Sequence, residues 1–167
     1  MTLASLAAAC TAQTTIATPL GDVLLARTDA GLAGAWFTGQ KAHPTTIAAA
    51  RRDDDPLLCA AASQLTEYFA GRRQHFDLAL DMSGTDFQRQ VWRTLLGIAC
   101  GQTASYGDIA RQIGSPSAVR AVGAAVGRNP LGVIVPCHRV VGSDGSLTGY
   151  AGGLERKSAL LHLEGVL

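Results

Sequence analysis

Pro136-Cys137-His138-Arg139-Val140 follows the apolar run Leu131-Gly132-Val133-Ile134-Val135. The run reads as a short buried strand that delivers a thiol, an imidazole and a guanidinium in consecutive positions. A thiol is a strong nucleophile only as thiolate, so it needs a base, a cation or a helix N-terminus nearby. Consecutive side chains of an extended strand point to opposite faces. For Cys137 and His138 to cooperate, the chain must turn at Cys137 or a water must bridge the two groups. A lone Cys-His pair reads equally as a buried structural thiol beside a surface histidine.

Three neighbours weigh against that plainer reading. Asn129-Pro130 just upstream is a turn signal in which the Asn side chain can bond backbone groups. Downstream lies a glycine-rich loop with an aromatic, Gly145 to Gly153 through Tyr150. A last helix, from about Leu154 to Glu164, then carries Leu154, Lys157, Leu160, Leu161 and Glu164 on one arc. A carboxylate on an apolar arc either reaches out to water or needs a partner, here His138.

Working upstream, Thr103 to Gly114 and Ser117 to Gly127 read as two short helices across the turn Gly114-Ser115-Pro116-Ser117, a helix-turn-helix pattern. Ser105 is the expected cap of the first. In the second, Val119, Val122 and Val126 should face the core, which leaves Ser117, Ala121, Ala124 and Gly127 outside beside Arg120. Such a small-residue face suits either a tight helix–helix contact or another surface approaching the backbone closely. Before this pair, Thr85 caps a helix whose stripe is Phe87, Val91, Trp92, Leu95 and Leu96. From Thr85 to Val140 six arginines face two aspartates, a basic bias suited to an anionic polymer.

The residues before Thr85 read as a small α+β piece. Residues 14–18, 22–27 and 31–38 suggest an antiparallel meander turning at Pro19-Leu20-Gly21. Pro56 to Ala70 has helical spacing, with Cys59 in its core, and 75–80 alternates like a strand. Residues 1–10 read as a ragged start. His43 and His75 read as surface or edge residues, and no chemistry is visible here. The expected division is an N-terminal domain of structural role, 1–81, and a functional domain, 82–167.

Of 167 residues, 47% are hydrophobic, enough for a core and against disorder. No apolar run is long enough to span a bilayer. Cys10, Cys59, Cys100 and Cys137 lie far apart, without zinc-ligand spacing, and isolated thiols suggest a reducing, cytoplasmic compartment.

Asn129-Pro130, the apolar run, Pro136 to Val140, the Gly-Tyr loop and the ending Leu163-Glu164 together resemble the methylated-DNA–protein-cysteine methyltransferases, the O6-alkylguanine-DNA alkyltransferases. The resemblance covers Thr85 to Glu164, about half of the chain. It implies an α+β protein with a small antiparallel sheet, then a mainly helical winged-helix/helix-turn-helix domain. It implies a single-turnover DNA repair protein, consumed by irreversible alkyl transfer to Cys137. His138 would take the thiol proton through a water, Glu164 would orient His138, and Asn129 would hold the turn. Tyr106 would donate to guanine N3, the carbonyls of Cys137 and Val140 would receive the exocyclic amine, and Tyr150 would line the pocket. Ala151, where some relatives carry Ser, could offer only its backbone amide. Arg120 would replace the flipped base, with Ser117, Ala121, Ala124 and Gly127 against the minor groove. No cofactor and no metal are implied, and no membrane. The protein would be a monomer in solution, with room for several molecules along double-stranded DNA. Arg139 reads as structural or as a phosphate contact. Rival readings are a recycling thiol hydrolase, a non-enzymatic sensor of alkylated bases, which would lack Cys137, and a transcriptional regulator, for which the small face offers few base-reading side chains.

Overall fold

Pro19 and Gly21 set the first hairpin: Gly21 takes φ 111°, and Thr18 Oγ1 donates to the Gly21 carbonyl at 2.6 Å. In the computed structural model, which describes residues 2–167, the strands either side are β1, Ala12–Ile16, and β2, Val23–Arg27. They pair antiparallel with Ile16 opposite Val23 and Ala12 opposite Arg27. β3, Leu32–Phe37, pairs antiparallel with β2 and completes the expected meander. Every β3 residue is buried. Gly34 is required there, because a Cβ at that position would lie 1.8 Å from the Trp36 ring.

Residues 2–9, expected to be ragged, form a capped helix. Thr2 and Ser5 form a reciprocal capping box that starts α1, Leu3–Ala9. Its Leu6 and Ala7 pack with Cys10, Ala26, Ala33, Trp36 and Ile47. α2, Pro56–Phe69, begins where Asp55 accepts from the Leu57 and Leu58 amides, with proline at its first position. It buries Leu58, Ala61, Leu65 and Tyr68, but Cys59 is exposed and its thiol donates to the Asp53 carbonyl. The alternating stretch 75–80 is not a strand. Only Leu80 makes a bridge, to Leu32, so the alternation marks an extended segment along the sheet edge. His75 is exposed, as expected, while His43 is half-buried with its Nδ1 on the Pro44 carbonyl.

The chain divides into two compact units, one running to Ser83 and one from Gly84 to Leu167. In the second, Thr85 and Gln88 form the capping box of α3, Asp86–Leu95. Val91, Trp92 and Leu95 are buried, each such side chain contributing about 1.5–3 kcal/mol. Leu96, expected in the stripe, lies beyond the helix and is 44% exposed. Trp92 Nε1 donates to the Ala125 carbonyl at 2.9 Å and so joins α3 to α5, Val119–Gly127. Ser105 and Asp108 cap α4, Tyr106–Gln112. Gly114, at φ 72°, turns the chain between α4 and α5.

Leu131, Val133, Ile134 and Val135 are buried as expected, but residues 131–135 form turns rather than a strand. Val133 sits at φ 69°, a conformation that costs a β-branched residue ~1–3 kcal/mol. The Val135 amide bonds the Leu131 carbonyl at 2.8 Å and closes the turn around it. The chain next makes one 3-10 turn, Cys137–Arg139, then β5, Val140–Val141, which pairs in parallel with β4, Ala104–Ser105. α6, Leu154–Leu163, closes the unit, capped at its end by Glu164. Among the described residues no helix is long and apolar enough to cross a membrane.

Candidate functional site: a buried thiol behind a helix-turn-helix

The 3-10 turn solves the geometric problem posed by adjacent Cys137 and His138: it turns the chain at the cysteine. Both side chains are buried. Asn129, itself buried, organises the approach. Its Oδ1 accepts from the Leu131 amide at 2.9 Å, and its Nδ2 donates to the Val135 carbonyl at 2.8 Å and to the Cys137 sulfur at 3.1 Å. Its backbone amide bonds the Val126 carbonyl at 3.2 Å, so the turn hangs from the end of α5. The bond to sulfur has no separate signal in the sequence; Asn-Pro announces the turn alone.

His138 Nε2 lies 2.7 Å from Glu164 Oε1, and the two side chains are 0% and 1% exposed. Glu164 therefore does not reach out to water. A carboxylate can only accept, so Nε2 carries the proton in that bond. His138 Nδ1 is left as the acceptor nitrogen, and it is buried without a hydrogen-bond partner among the described residues. No direct hydrogen bond joins it to the Cys137 sulfur.

Arg139 is paired with the same carboxylate. Its Nε donates to Oε2 and its Nη2 to Oε1, both at 2.9 Å, and its Nη1 donates to the Ile98 carbonyl at 2.6 Å. A guanidinium so enclosed is structural and is not available to a phosphate. Lys157 is the second buried cation. It is 0% exposed, and its Nζ donates to the carbonyls of Val140 at 2.5 Å, Thr148 at 2.8 Å and Gly149 at 3.4 Å. The sequence hints at it only as a charge on the apolar arc of α6.

Burial pushes the Cys137 thiol up, opposed by the Asn129 hydrogen bond, the Lys157 charge and the amides of Cys137 and His138. Burial pushes the His138 imidazole below its ordinary value, while Glu164 opposes the shift. Lys157 is brought down to about 8 by burial, with Cys137 working the other way.

The remaining predicted residues fall in two groups. Tyr106 and Val140 are tied to the glycine-rich loop that carries Tyr150 and Ala151, Val140 through Lys157. Tyr106 Oη donates to the Thr148 carbonyl at 3.1 Å, and Tyr150 and Ala151 are half-buried. The Cys137 carbonyl already accepts the Val140 amide, and the Val140 carbonyl already accepts Lys157, so each has one lone pair left for another donor. Ser117, in the turn before α5, and Arg120, Ala121, Ala124 and Gly127 along α5 are all exposed. Val119, expected in the core, is 41% exposed: it is the first residue of α5, ahead of the turns that pack. Val122 and Val126 are buried as expected.

Among the described residues no three His, Cys, Asp or Glu side chains gather into a set that could hold a metal ion.

Both units match models of one class of protein, the 6-O-methylguanine DNA methyltransferases. Residues 86–166 match its DNA binding domain and residues 12–82 its ribonuclease-like domain. The chain is 61% identical over 104 residues to the methylated-DNA--protein-cysteine methyltransferase of Mycobacterium tuberculosis, a stretch that spans 62% of this chain and 63% of that protein. It is 47% identical over 150 residues to that of Mycolicibacterium paratuberculosis, covering 90% of each. The crystal structure of Mycobacterium tuberculosis OGT in complex with DNA is similar over 92% of both chains, with a TM-score of 0.83 and 48% identity. The chain belongs to the methylated-DNA--protein-cysteine methyltransferase family.

Proposed function

We propose that this protein repairs O6-alkylguanine, mainly O6-methylguanine, in double-stranded DNA by irreversible transfer of the alkyl group to Cys137. The observation that carries the reading is the Asn129-held thiol in the same turn as a buried His138–Glu164 pair whose Nδ1 is left to accept a proton. A neutral imidazole is what a base needs, and burial keeps His138 neutral. A water relays the thiol proton to Nδ1, and Glu164 stabilises the imidazolium that forms, as in other nucleophile–base–carboxylate sets. The thiolate attacks the alkyl carbon. The S–C bond forms, the O6–C bond breaks, and guanine leaves with the electron pair. Tyr106 exchanges its bond to Thr148 for one to guanine N3, which meets the charge on the departing base. The product is a thioether, which water does not cleave, so each molecule acts once.

The small exposed face of α5 lets a DNA minor groove approach the backbone. The target base must leave the stack at a cost of a few kcal/mol, and Arg120 fills its place. The remaining carbonyl lone pairs of Cys137 and Val140, the Tyr150 ring and the Ala151 amide form the base pocket. In this reading residues 82–167 bind DNA and accept the alkyl group, residues 1–81 support them, and the protein acts as a monomer in solution.

The test is intact mass after mixing with an oligonucleotide containing one O6-methylguanine. The expected result is one added methyl on the peptide containing Cys137, with the reaction stopping at one equivalent. Repeated turnover, or a methyl on another residue, overturns the reading.

A further inference from the structure

Lys157 is a buried ammonium with no carboxylate within 4 Å among the described residues. Its three hydrogen bonds all go to neutral carbonyls, those of Val140, Thr148 and Gly149. Such a charge is costly to bury unless an anion answers it. The ionisable groups that interact with it are Cys137 and His138, while Arg139 and Glu164 are already paired with each other. Of the two, only Cys137 becomes an anion during the proposed reaction.

We infer that Lys157 is a positioning residue of the acceptor site: its buried ammonium is the counter-charge of the Cys137 thiolate and ties the Thr148–Gly149 loop to Val140. The inference rests on the proposed alkyl transfer, and two features of the site support it. First, Val140 is the residue that closes the 3-10 turn, its amide bonding the Cys137 carbonyl, so Lys157 grips the same turn that carries the sulfur. Second, the Thr148 carbonyl is shared by Lys157 Nζ and Tyr106 Oη, so one ammonium holds both the loop before Tyr150 and the acceptor of the Tyr106 hydroxyl. When the S–C bond forms, the O6–C bond breaks and the negative charge departs with guanine. Lys157 then faces a neutral thioether, as it faced a neutral thiol before the reaction.

The experiment uses the full chain, whose two lysines are Lys41 and Lys157. The rate at which iodoacetamide modifies the Cys137 peptide is followed by mass spectrometry from pH 6 to 10 in wild type, Lys157→Met and Lys157→Arg. Removing the ammonium is expected to raise the midpoint of the profile by about one pH unit, roughly a tenfold slower modification at neutral pH, with Lys157→Arg restoring much of it. An unchanged midpoint, with rates lowered equally at every pH, overturns the inference and leaves Lys157 a purely structural tie. A second readout does not depend on the Lys157 variants folding. With lysine carbon-13 labelled, the Lys157 side-chain titration is compared in wild type and Cys137→Ser by NMR. The midpoint is expected to fall when the sulfur is lost, and an unchanged or raised midpoint overturns the inference. Neither readout needs a methyl donor, so a failure of the alkyl-transfer reading shows separately, as an oligonucleotide that leaves Cys137 unmodified.

Discussion

The Asn129 side-chain amide stands 3.1 Å from the Cys137 sulfur and 2.8 Å from the Val135 carbonyl, and so holds the reactive atom and its turn with one group. Asn129→Ala removes both bonds and the one its Oδ1 accepts from the Leu131 amide, so buried backbone groups lose their side-chain partner. The expected loss is about 1–3 kcal/mol of stability, read by urea unfolding, together with slower methyl transfer. Transfer at the wild-type rate from a folded variant would exclude a role for the amide at sulfur.

Glu164 serves two partners, and its substitution separates them. Glu164→Gln leaves the buried Arg139 guanidinium without the carboxylate it pairs with, at a cost of about 3–5 kcal/mol. Methyl transfer is expected to fall by about a hundredfold or more. Adding Arg139→Met should restore stability but not transfer. Recovery of both in the double variant would make Glu164 only an ion-pair partner.

Lys157 makes stability depend on pH on the alkaline side. Its value falls from 10.5 to about 8 on folding, so between those limits the unfolded chain binds more protons. The penalty is full below pH 8 and is relieved as pH rises. Cys137 shifts upward from 9.0, so its contribution is lost as pH rises beyond that value and opposes the gain. The clear window is therefore pH 8 to 9, where the unfolding free energy should rise by about 1 kcal/mol from this group. Urea unfolding at the two pH values checks it, and the rise should vanish in Lys157→Met.

Arg120 is exposed on the small-residue face of α5. Arg120→Ala should slow transfer from duplex DNA about tenfold or more, since a flipped base costs a few kcal/mol to hold out of the stack. Reaction with the free base should change little. Parallel single-turnover assays decide the matter, and equal losses on both substrates would remove the base-replacing role.

Gly34→Ala should destabilise the first unit by about 1–3 kcal/mol or more, because the added methyl meets the Trp36 ring at 1.8 Å. Trp36 fluorescence during thermal unfolding is the direct readout.

What the sequence disclosed follows from how local each cause is. The meander, α2 and the caps at Thr85 and Ser105 depend on turn residues, apolar spacing and hydroxyls a few positions away, and all were readable. The stretch 131–135 misled because its residues favour strands, whereas its conformation is set by Asn129, whose side chain bonds the backbone at both ends of the turn. Residues 75–80 misled because alternation records one buried side, not a ladder. The capping box at Thr2 and Ser5 opens a run of small residues that carries little apolar spacing of its own. In the site, motif spacing could suggest Cys137, His138 and Glu164. The pairing of Arg139 with Glu164, and the carbonyl cage around Lys157, arise from distant segments and left no local mark.

The four thiols differ in their access to reagents: Cys10 and Cys137 are buried, Cys100 is intermediate and Cys59 is exposed. A bulk colorimetric count of free thiols would thus register Cys59 first and tell little about the acceptor. Conversely, a dye or spin label can be attached at Cys59 while Cys137 keeps its shelter, which gives the protein a reporter that does not consume it.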